Sequence, residues 1–192
     1  ANALETTFYN QPLRHLARSP YLYGSDVKTT TLVKHRYQTT FPEAVSPNSV
    51  AVMDIETDVV RGHKQVVCIA ITFKDRAFLA VTQEFIQGIP NYEDKIQAAF
   101  TDNLGTYQKE RNITLEIGCY KSPGAACYEA IQRAHQWKPD FLSLWNMDFD
   151  IPRIIKALEK DGFHVGDTFS DPAVPRRYRH AYYKPGQHSK VT

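Results

Sequence analysis

Two acidic residues near the end of an apolar segment have a spacing that could support chemistry. Asp54 and Glu56 are separated by one residue within Val50–Thr57. In a β-strand, residues two apart project from the same face, so both carboxylates would lie side by side. Such like charges destabilise each other unless a cation or water intervenes, and oxygen ligands suit a divalent metal ion. The pair therefore predicts a metal site. The alternative is that the strand ends here and both acids are solvated.

A second group of polar residues lies about ninety residues later in the chain. Asn146, Asp148 and Asp150 follow the short apolar segment Phe141–Trp145 and precede a run with helical periodicity. We expect Asp150 at the start of that helix, where its carboxylate can cap backbone N–H groups. A carboxylate has several lone-pair sites, so capping does not exclude metal ligation. We interpret Asp148 as a solvated turn residue.

Apolar periodicity predicts the elements that would position these acids. Strands are expected over Val50–Thr57, 65–73, 77–82, 113–120 and Phe141–Trp145. Helices are expected after Asn91, which can cap the first of them, from Ser122-Pro123, and through Ile151–Leu158, after which Gly162 fits a Schellman-type end. The second and third strands are separated only by a short turn and predict an antiparallel hairpin. The later strands alternate with helices, which indicates an α/β fold with a mixed sheet. Because residues on both faces of Val50–Thr57 are apolar as far as Asp54, we expect this strand to be covered on both sides.

The first 49 residues differ from this regular pattern. They contain turn signals and one segment with strand character, Thr31–Gln38, followed by a connector, Phe41–Asn48, that holds two prolines. We therefore expect a small β-containing N-terminal segment ahead of the α/β domain.

Composition and charge restrict the classes of function. Pro172–Thr192 contains five Lys or Arg residues and no Asp or Glu, in a chain whose net charge is +2. This basic tail also contains Tyr178, Tyr182 and Tyr183, a combination that suits stacking on nucleic acid or contact with its phosphates. A solvated terminal segment and an interface with further domains are the alternatives.

The cysteines and the apolar runs exclude other classes. The three cysteines form no CxxC pair, which disfavours a zinc site or a disulfide framework and favours a reducing, cytoplasmic environment. No apolar run has the length of a membrane span, so no membrane partner is expected.

The two acidic groups together resemble a known family. Asp54-Ile55-Glu56-Thr57 resembles the first motif of the DEDD 3′→5′ exonucleases, and 145–152 (WNMDFDIP) resembles their second motif. The Ile-Pro that ends the second motif, and the stretch Leu22–Val27, are similar to family B DNA polymerases in particular. The chain thus resembles the proofreading exonuclease domain of such a polymerase, which implies a ribonuclease-H-like fold with helices flanking a mixed β-sheet.

The resemblance also implies a mechanism, a cofactor and partners. Two divalent ions, Mg²⁺ or Mn²⁺, would be held with Asp54 bridging both, Glu56 on the side of the attacking water and Asp150 on the second ion. Substrate contacts would come from Asn146, Phe149 and Thr57. The implied partners are a single-stranded DNA 3′ end or primer–template and the remaining polymerase domains, in a cytoplasmic replication complex.

The sequence departs from the family pattern in two places. Family B members usually have three residues between the Asn and the Phe-Asp of the second motif, and here only two intervene. The family also needs a third motif, Tyr-x-x-x-Asp or His-x-x-x-x-Asp, downstream of the second, and none is present. His135 stands five residues before Asp140 but precedes the second motif; we interpret it as a helix-face residue and Asp140 as a loop residue.

These departures lead to an expectation about organisation. We expect an N-terminal polymerase segment and connector at 1–49, an incomplete exonuclease domain at 50–165, and a basic tail at 166–192 that leads to a missing remainder. The chain would be a truncated or split-gene product with weak or no activity of its own. Two rival functions remain open: a ribonuclease-H-like endonuclease or RNA-directed exonuclease, and a non-catalytic nucleic-acid-binding or docking module.

Overall fold

The computed structural model describes residues 29–44, 47–60, 62 and 64–181. The chain divides into two compact units, Ala1–Pro47 and Asn48–Thr192. The motif-like stretch Leu22–Val27 lies outside the described residues, as do Tyr182 and Tyr183 of the basic tail.

In the first unit, the described residues form helix α1, Thr29–Thr40. The strand predicted over Thr31–Gln38 is therefore wrong. The β-branched residues of this segment favour strands only where a neighbouring strand is available for pairing and packing, and the sheet contains no strand from it. Instead, the hydroxyls of Thr39 and Thr40 each donate to the backbone carbonyl four residues earlier, both at 2.8 Å.

The second unit is built on one mixed five-stranded sheet. Its strands are β1 (Val50–Thr57), β2 (Val66–Phe73), β3 (Arg76–Thr82), β4 (Thr114–Tyr120) and β5 (Phe141–Leu144). They lie in the order β4-β3-β2-β1-β5. β1, β2 and β3 are antiparallel neighbours, whereas β4 pairs with β3 and β5 pairs with β1 in parallel.

Helices connect the parallel strands and flank the sheet. They are α2 (Gln83–Ile86), α3 (Tyr92–Leu104), α4 (Thr106–Glu110), α5 (Pro123–Trp137), α6 (Met147–Lys160) and α7 (Val165–Phe169), followed by a 3₁₀ turn at Arg176–Tyr178. This is an α/β fold in a ribonuclease-H-like arrangement, which confirms the predicted fold class. Among the described residues, no helix has both the length and the apolar character needed to cross a membrane.

Two of the predicted helix ends are confirmed by their hydrogen bonds and one is not. The Ser122 hydroxyl accepts from the Ala125 N–H at the start of α5. At the end of α6, Gly162 has φ +79°, and Phe163 N–H donates to Leu158 O at 2.9 Å, which is a Schellman closure. Asn91, expected to cap α3, has a left-handed backbone and makes no side-chain capping bond.

The core lies on one face of the sheet. Ala51, Met53 and Ile55 are buried in the cluster that also contains apolar residues of α5 and α6. On the opposite face of β1, Val50 and Val52 are about half exposed. The prediction that this strand is covered on both sides is therefore wrong.

The reason lies in where α3 packs. Together with β2, β3 and β4, helix α3 lines an apolar groove of about 420 Å³. None of the residues of α3 is buried. No helix among the described residues of this unit covers β1 and β5 on the same side.

Candidate functional site

Strand β1 positions the first two acids on its open face. Asp54 and Glu56 lie on the same face of the strand, as the alternation predicted, and both are exposed. Their cross-strand neighbours on β2 are Ala70 and Cys68. The register shifts between Glu56 and Thr57, and such an irregularity re-aims side chains at the end of a strand. The two carboxylates therefore lie at the edge of the sheet where β1 ends.

Strand β5 and helix α6 bring the third acid to the same edge. β5 is parallel to β1, with Leu144 opposite Met53, so α6 begins beside the end of β1. Asp150 lies one turn inside α6, where its N–H donates to Asn146 O at 2.8 Å. The helix starts earlier than expected and Asn146 occupies the N-cap position. The prediction that Asp150 is the N-cap residue is therefore wrong.

Asp150 is buried because of its place on the helix. Its side chain shares a helix face with Ile154 and Leu158, four and eight residues later, which pack in the core. Only 2% of the Asp150 surface is exposed. Its Oδ2 atom is buried and has no hydrogen-bond partner among the described residues. A buried carboxylate oxygen without a partner is costly, so this atom is a candidate ligand atom.

The three acids act on one another electrostatically. Burial is the main cause that raises the pKa of the Asp150 carboxyl above its ordinary value, and the charges of Asp54 and Glu56 raise it further. A backbone hydrogen bond from Asn146 and the charge of Arg153 oppose this rise. An added cation near Asp54, Glu56 and Asp150 would therefore lower the repulsion among them.

Cys68 is a neutral neighbour of the acids that the sequence analysis did not single out. It lies opposite Glu56 on β2. Burial raises the pKa of its thiol to about 11, and the charges of Glu56 and Asp54 act in the same direction. The thiol therefore stays protonated at neutral pH and provides no negative charge for metal binding. Its proximity follows from the hairpin register.

The donor set fits a hard divalent cation in ligand type, but the side chains are not gathered as ligands. In the described part of the chain, no three acidic, histidine or cysteine side chains stand close enough to hold a metal ion. Carboxylate oxygens are the ligands that Mg²⁺ and Mn²⁺ favour. Asp150 is fixed by burial, whereas exposed Asp54 and Glu56 can change rotamer at low cost. Ligation would require those two side chains to turn toward Asp150 Oδ2.

The predicted substrate-binding residues occupy different environments. Asn146 is exposed and its side chain makes no capping hydrogen bond. Phe149 is half-buried against the core, and the Arg153 guanidinium lies 3.4 Å from its ring centroid. Thr57 ends β1 opposite Val66. Asp148, expected in a turn, is exposed in the first turn of α6.

The described part of the basic tail is tied to its own unit. Arg176 pairs with Asp167 at 3.1 Å. Arg179 donates to the carbonyl oxygens of Val174 and Pro172, both at 2.6 Å. Tyr178 is exposed beside Arg177, whose guanidinium carbon lies 4.8 Å from its ring centroid. All three described tail arginines thus have contacts within this unit.

His135 and Asp140 have structural roles, as expected for residues outside the acidic motifs. His135 lies on α5, and its Nε2 is hydrogen-bonded to Thr168 O at 2.8 Å. Asp140 precedes β5 and accepts from the backbone N–H and the hydroxyl of Ser49, at 2.6 and 2.8 Å. The same hydrogen bonds lower the pKa of Asp140.

Trp145 and Arg153 are candidate site residues that the sequence analysis missed. Trp145 follows β5 directly and is 95% exposed. Arg153 is one turn beyond Asp150 on α6, and its NH1 donates to Phe149 O at 2.7 Å. Their positions in the sequence were a signal, since Trp145 immediately precedes Asn146 and Arg153 is three residues from Asp150. This spacing alone does not predict that Trp145 is exposed or that Arg153 contacts Phe149.

Comparison with known proteins does not assign a family. No protein-family model matches the sequence, and a search of curated proteins found no match.

Proposed function

We propose that the chain is the 3′→5′ exonuclease module of a DNA polymerase and acts on single-stranded DNA 3′ ends with two divalent ions, Mg²⁺ or Mn²⁺. The observation that supports this most strongly is the buried Asp150 oxygen without a partner, within electrostatic reach of Asp54 and Glu56. A purely structural carboxylate in such a position would be expected to have a hydrogen-bond donor.

The three acids would divide the work of holding the ions. Asp54, Glu56 and Asp150 would together hold the ions through their carboxylate oxygens. When bound, the ions would supply charge stabilisation at the phosphate and a lower pKa for the attacking water. These 192 residues provide three of the four carboxylates that the resemblance implies, so we expect weak hydrolysis from them.

Other side chains at the same edge of the sheet would orient the single-stranded DNA. The exposed Asn146 amide can donate to a sugar or phosphate oxygen and accept from a base. Exposed Trp145 can stack on a base of any identity, which suits an enzyme that must accept every nucleotide. Phe149 would act through packing, since it is half-buried and supports Arg153. Thr57, the last residue of β1, would also contact the DNA.

A docking module is the second candidate function. The uncovered face of β1 and β5 presents Val50, Val52 and Phe141, each about half exposed. Contiguous exposed apolar surface favours an interaction with another protein surface, such as further polymerase domains. This function requires neither a metal ion nor hydrolysis.

The products of single-strand cleavage test the proposal. The full chain is incubated with Mn²⁺ and either a 5′-labelled linear strand or a circular strand. We expect slow loss of single nucleotides from the linear 3′ end and no cleavage of the circle. Asp54→Asn should reduce the rate by roughly a hundredfold, because it removes one of the three carboxylates that would hold the ions.

Asp75→Asn is the matched control, since Asp75 is an exposed acid in the β2–β3 turn at the opposite end of the sheet. It should leave the rate unchanged. Cleavage of the circle would point instead to an endonuclease. A rate that Asp54→Asn leaves intact would refute the assigned site. Absence of hydrolysis of either substrate would favour the docking function.

A further inference from the structure

A basic cavity lies next to the acidic site, along helix α6. Its volume is about 280 Å³, and it is bounded by the residues before β2, the start of α5 and one face of α6. The basic residues among the described ones that line it are Lys64, Arg153, Lys156 and Lys160. No function proposed above uses this concentration of positive charge.

The secondary structure explains why these side chains converge. Arg153, Lys156 and Lys160 have i, i+3, i+7 spacing and therefore share one face of α6. Lys64 comes from the opposite wall, where its N–H donates to Asp58 O at 3.2 Å. Asp58 N–H in turn donates to Gln65 O at 2.9 Å, so two hydrogen bonds hold the backbone at Lys64 and Gln65.

Four basic residues and one acid line the cavity among the described residues, so it keeps a net positive charge. Among the described lining residues, Asp161 is the one carboxylate, and its Oδ2 accepts from Gly124 N–H at 2.6 Å in the first turn of α5. Within the described chain, no carboxylate lies within ion-pair distance of the ammonium groups of Lys64, Lys156 or Lys160. Gathered like charges repel one another unless an anion binds among them.

Arg153 is held in place before any ligand arrives. Its guanidinium lies over the Phe149 ring and its NH1 donates to Phe149 O. An arginine fixed in this way loses little freedom when it binds an oxyanion.

We propose that the basic cavity binds a phosphate group, supplied by the backbone of a single-stranded nucleic acid. Lys156 and Lys160 are roughly 9 and 15 Å along the helix axis from Asp150, at 1.5 Å per residue. A strand whose 3′ end lies at the acids can therefore place an upstream phosphate in the cavity. This choice of source rests on the proposed exonuclease function, whereas the anion site itself does not. The other source of the same chemistry is free phosphate.

The first test measures binding of 5′-labelled single-stranded DNA to the full chain by fluorescence anisotropy, in EDTA and over a series of salt concentrations. Lys156→Gln/Lys160→Gln should weaken binding roughly tenfold at low salt, as expected for lost charge-assisted contacts. The slope of log K against log salt should fall by about 1.4, since each phosphate contact on a single strand contributes about 0.7. Both lysines are exposed and glutamine is a comparable helix former, so the fold should be retained.

The matched control is Lys95→Gln/Lys109→Gln, which removes the same charge from exposed positions on α3 and α4. It should change the salt slope by less than half as much as the cavity variant. Equal weakening by both double variants would overturn the proposal, because it would show a general charge effect.

The second test titrates inorganic phosphate and follows backbone amide shifts by NMR. In the wild-type chain we expect shifts at 153–161 that are lost in Lys156→Gln/Lys160→Gln. Phosphate binding without cavity-dependent DNA binding would support the site with free phosphate as its source. A wild-type chain that responds to neither ligand would overturn the site. Cavity-dependent DNA binding in a chain that shows no Asp54-dependent hydrolysis would contradict the exonuclease function alone.

Discussion

The two faces of strand β1 differ in what they contribute. On one face, Ala51 and Met53 are fully buried in the cluster that they share with residues of α5 and α6. On the other, Val52 and Asp54 are exposed, although they alternate with the buried residues along the same strand. The buried face stabilises the fold through apolar contacts, and the open face exposes the carboxylates of Asp54 and Glu56 to solvent. The acids can therefore be substituted without removing core contacts.

The third acid connects the two faces. Asp150 is on the core-facing side of α6, yet its charge interacts with Asp54 and Glu56. Burial fixes its position, and its unpaired oxygen has a free-energy cost. On β1, the residues that stabilise the core are different from the acids proposed to bind metal ions. At Asp150, the same buried carboxylate lowers stability and is proposed to bind a metal ion.

The largest expected effect is on the buried face. Met53→Ala should lower the free energy of unfolding by about 2–5 kcal/mol, because it leaves a cavity in a fully buried position. Val52→Ala, its neighbour on the open face, should cost less than about 1 kcal/mol. Urea denaturation followed by circular dichroism measures both. Similar losses for the two variants would contradict the one-sided core.

A smaller effect of opposite sign is expected at Asp150. Asp150→Asn should raise the free energy of unfolding at pH 7 by roughly 1 kcal/mol, because a neutral amide is less costly to bury than a charge. The pKa of Asp150 is raised in the folded chain, so ionisation lowers stability as pH rises through the ordinary carboxyl range.

The gain from Asp150→Asn should consequently vanish below about pH 4, where the carboxyl is protonated in both states. Thermal unfolding of both proteins across pH 3–8 measures this dependence. A stability difference that is constant with pH would show that charge is not its cause.

The smallest expected effect concerns thiol reactivity and leaves stability unchanged. Exposed Cys119 should react with a thiolate-selective reagent at pH 8 well before Cys68. Since the pKa of Cys68 is raised to about 11 by burial and by nearby Glu56, we expect Cys68 to react roughly a hundredfold more slowly than an ordinary thiol. Mass spectrometry of alkylated peptides gives the two rates. Equal rates would contradict the placement of Cys68 beside the acids.

The sequence predicted much of the second unit because its local and tertiary preferences agree. The alternation of β1 placed Asp54 and Glu56 on one face, and Gly162 identified the end of α6. Prediction from the sequence failed where burial or secondary structure depends on elements that are distant in the chain. Apolar Val50 and Val52 gave no sign that α3 would pack over β2–β4, and β-branched residues in Thr29–Thr40 favoured a strand that has no neighbour to pair with.

The sequence predicted which acids belong to the candidate site better than it predicted how they are arranged. Asp54, Glu56 and Asp150 followed from motif spacing, but the burial of Asp150 depends on α6 starting one turn earlier than expected. The closeness of Cys68 to the acids depends on the hairpin register. The basic cavity depends on Lys64 lying across from one face of α6. Single-sequence patterns do not specify such pairings.

A Mn²⁺ titration followed by NMR tests the central claim most directly. Bound Mn²⁺ broadens nearby backbone amide signals, so we expect early and selective loss of those at 54–57, Cys68 and 146–150. Asp54→Asn should weaken this effect by at least tenfold, whereas Asp75→Asn should not. Broadening confined to other acidic surfaces, or unchanged by Asp54→Asn, would contradict a divalent-cation site formed by Asp54, Glu56 and Asp150.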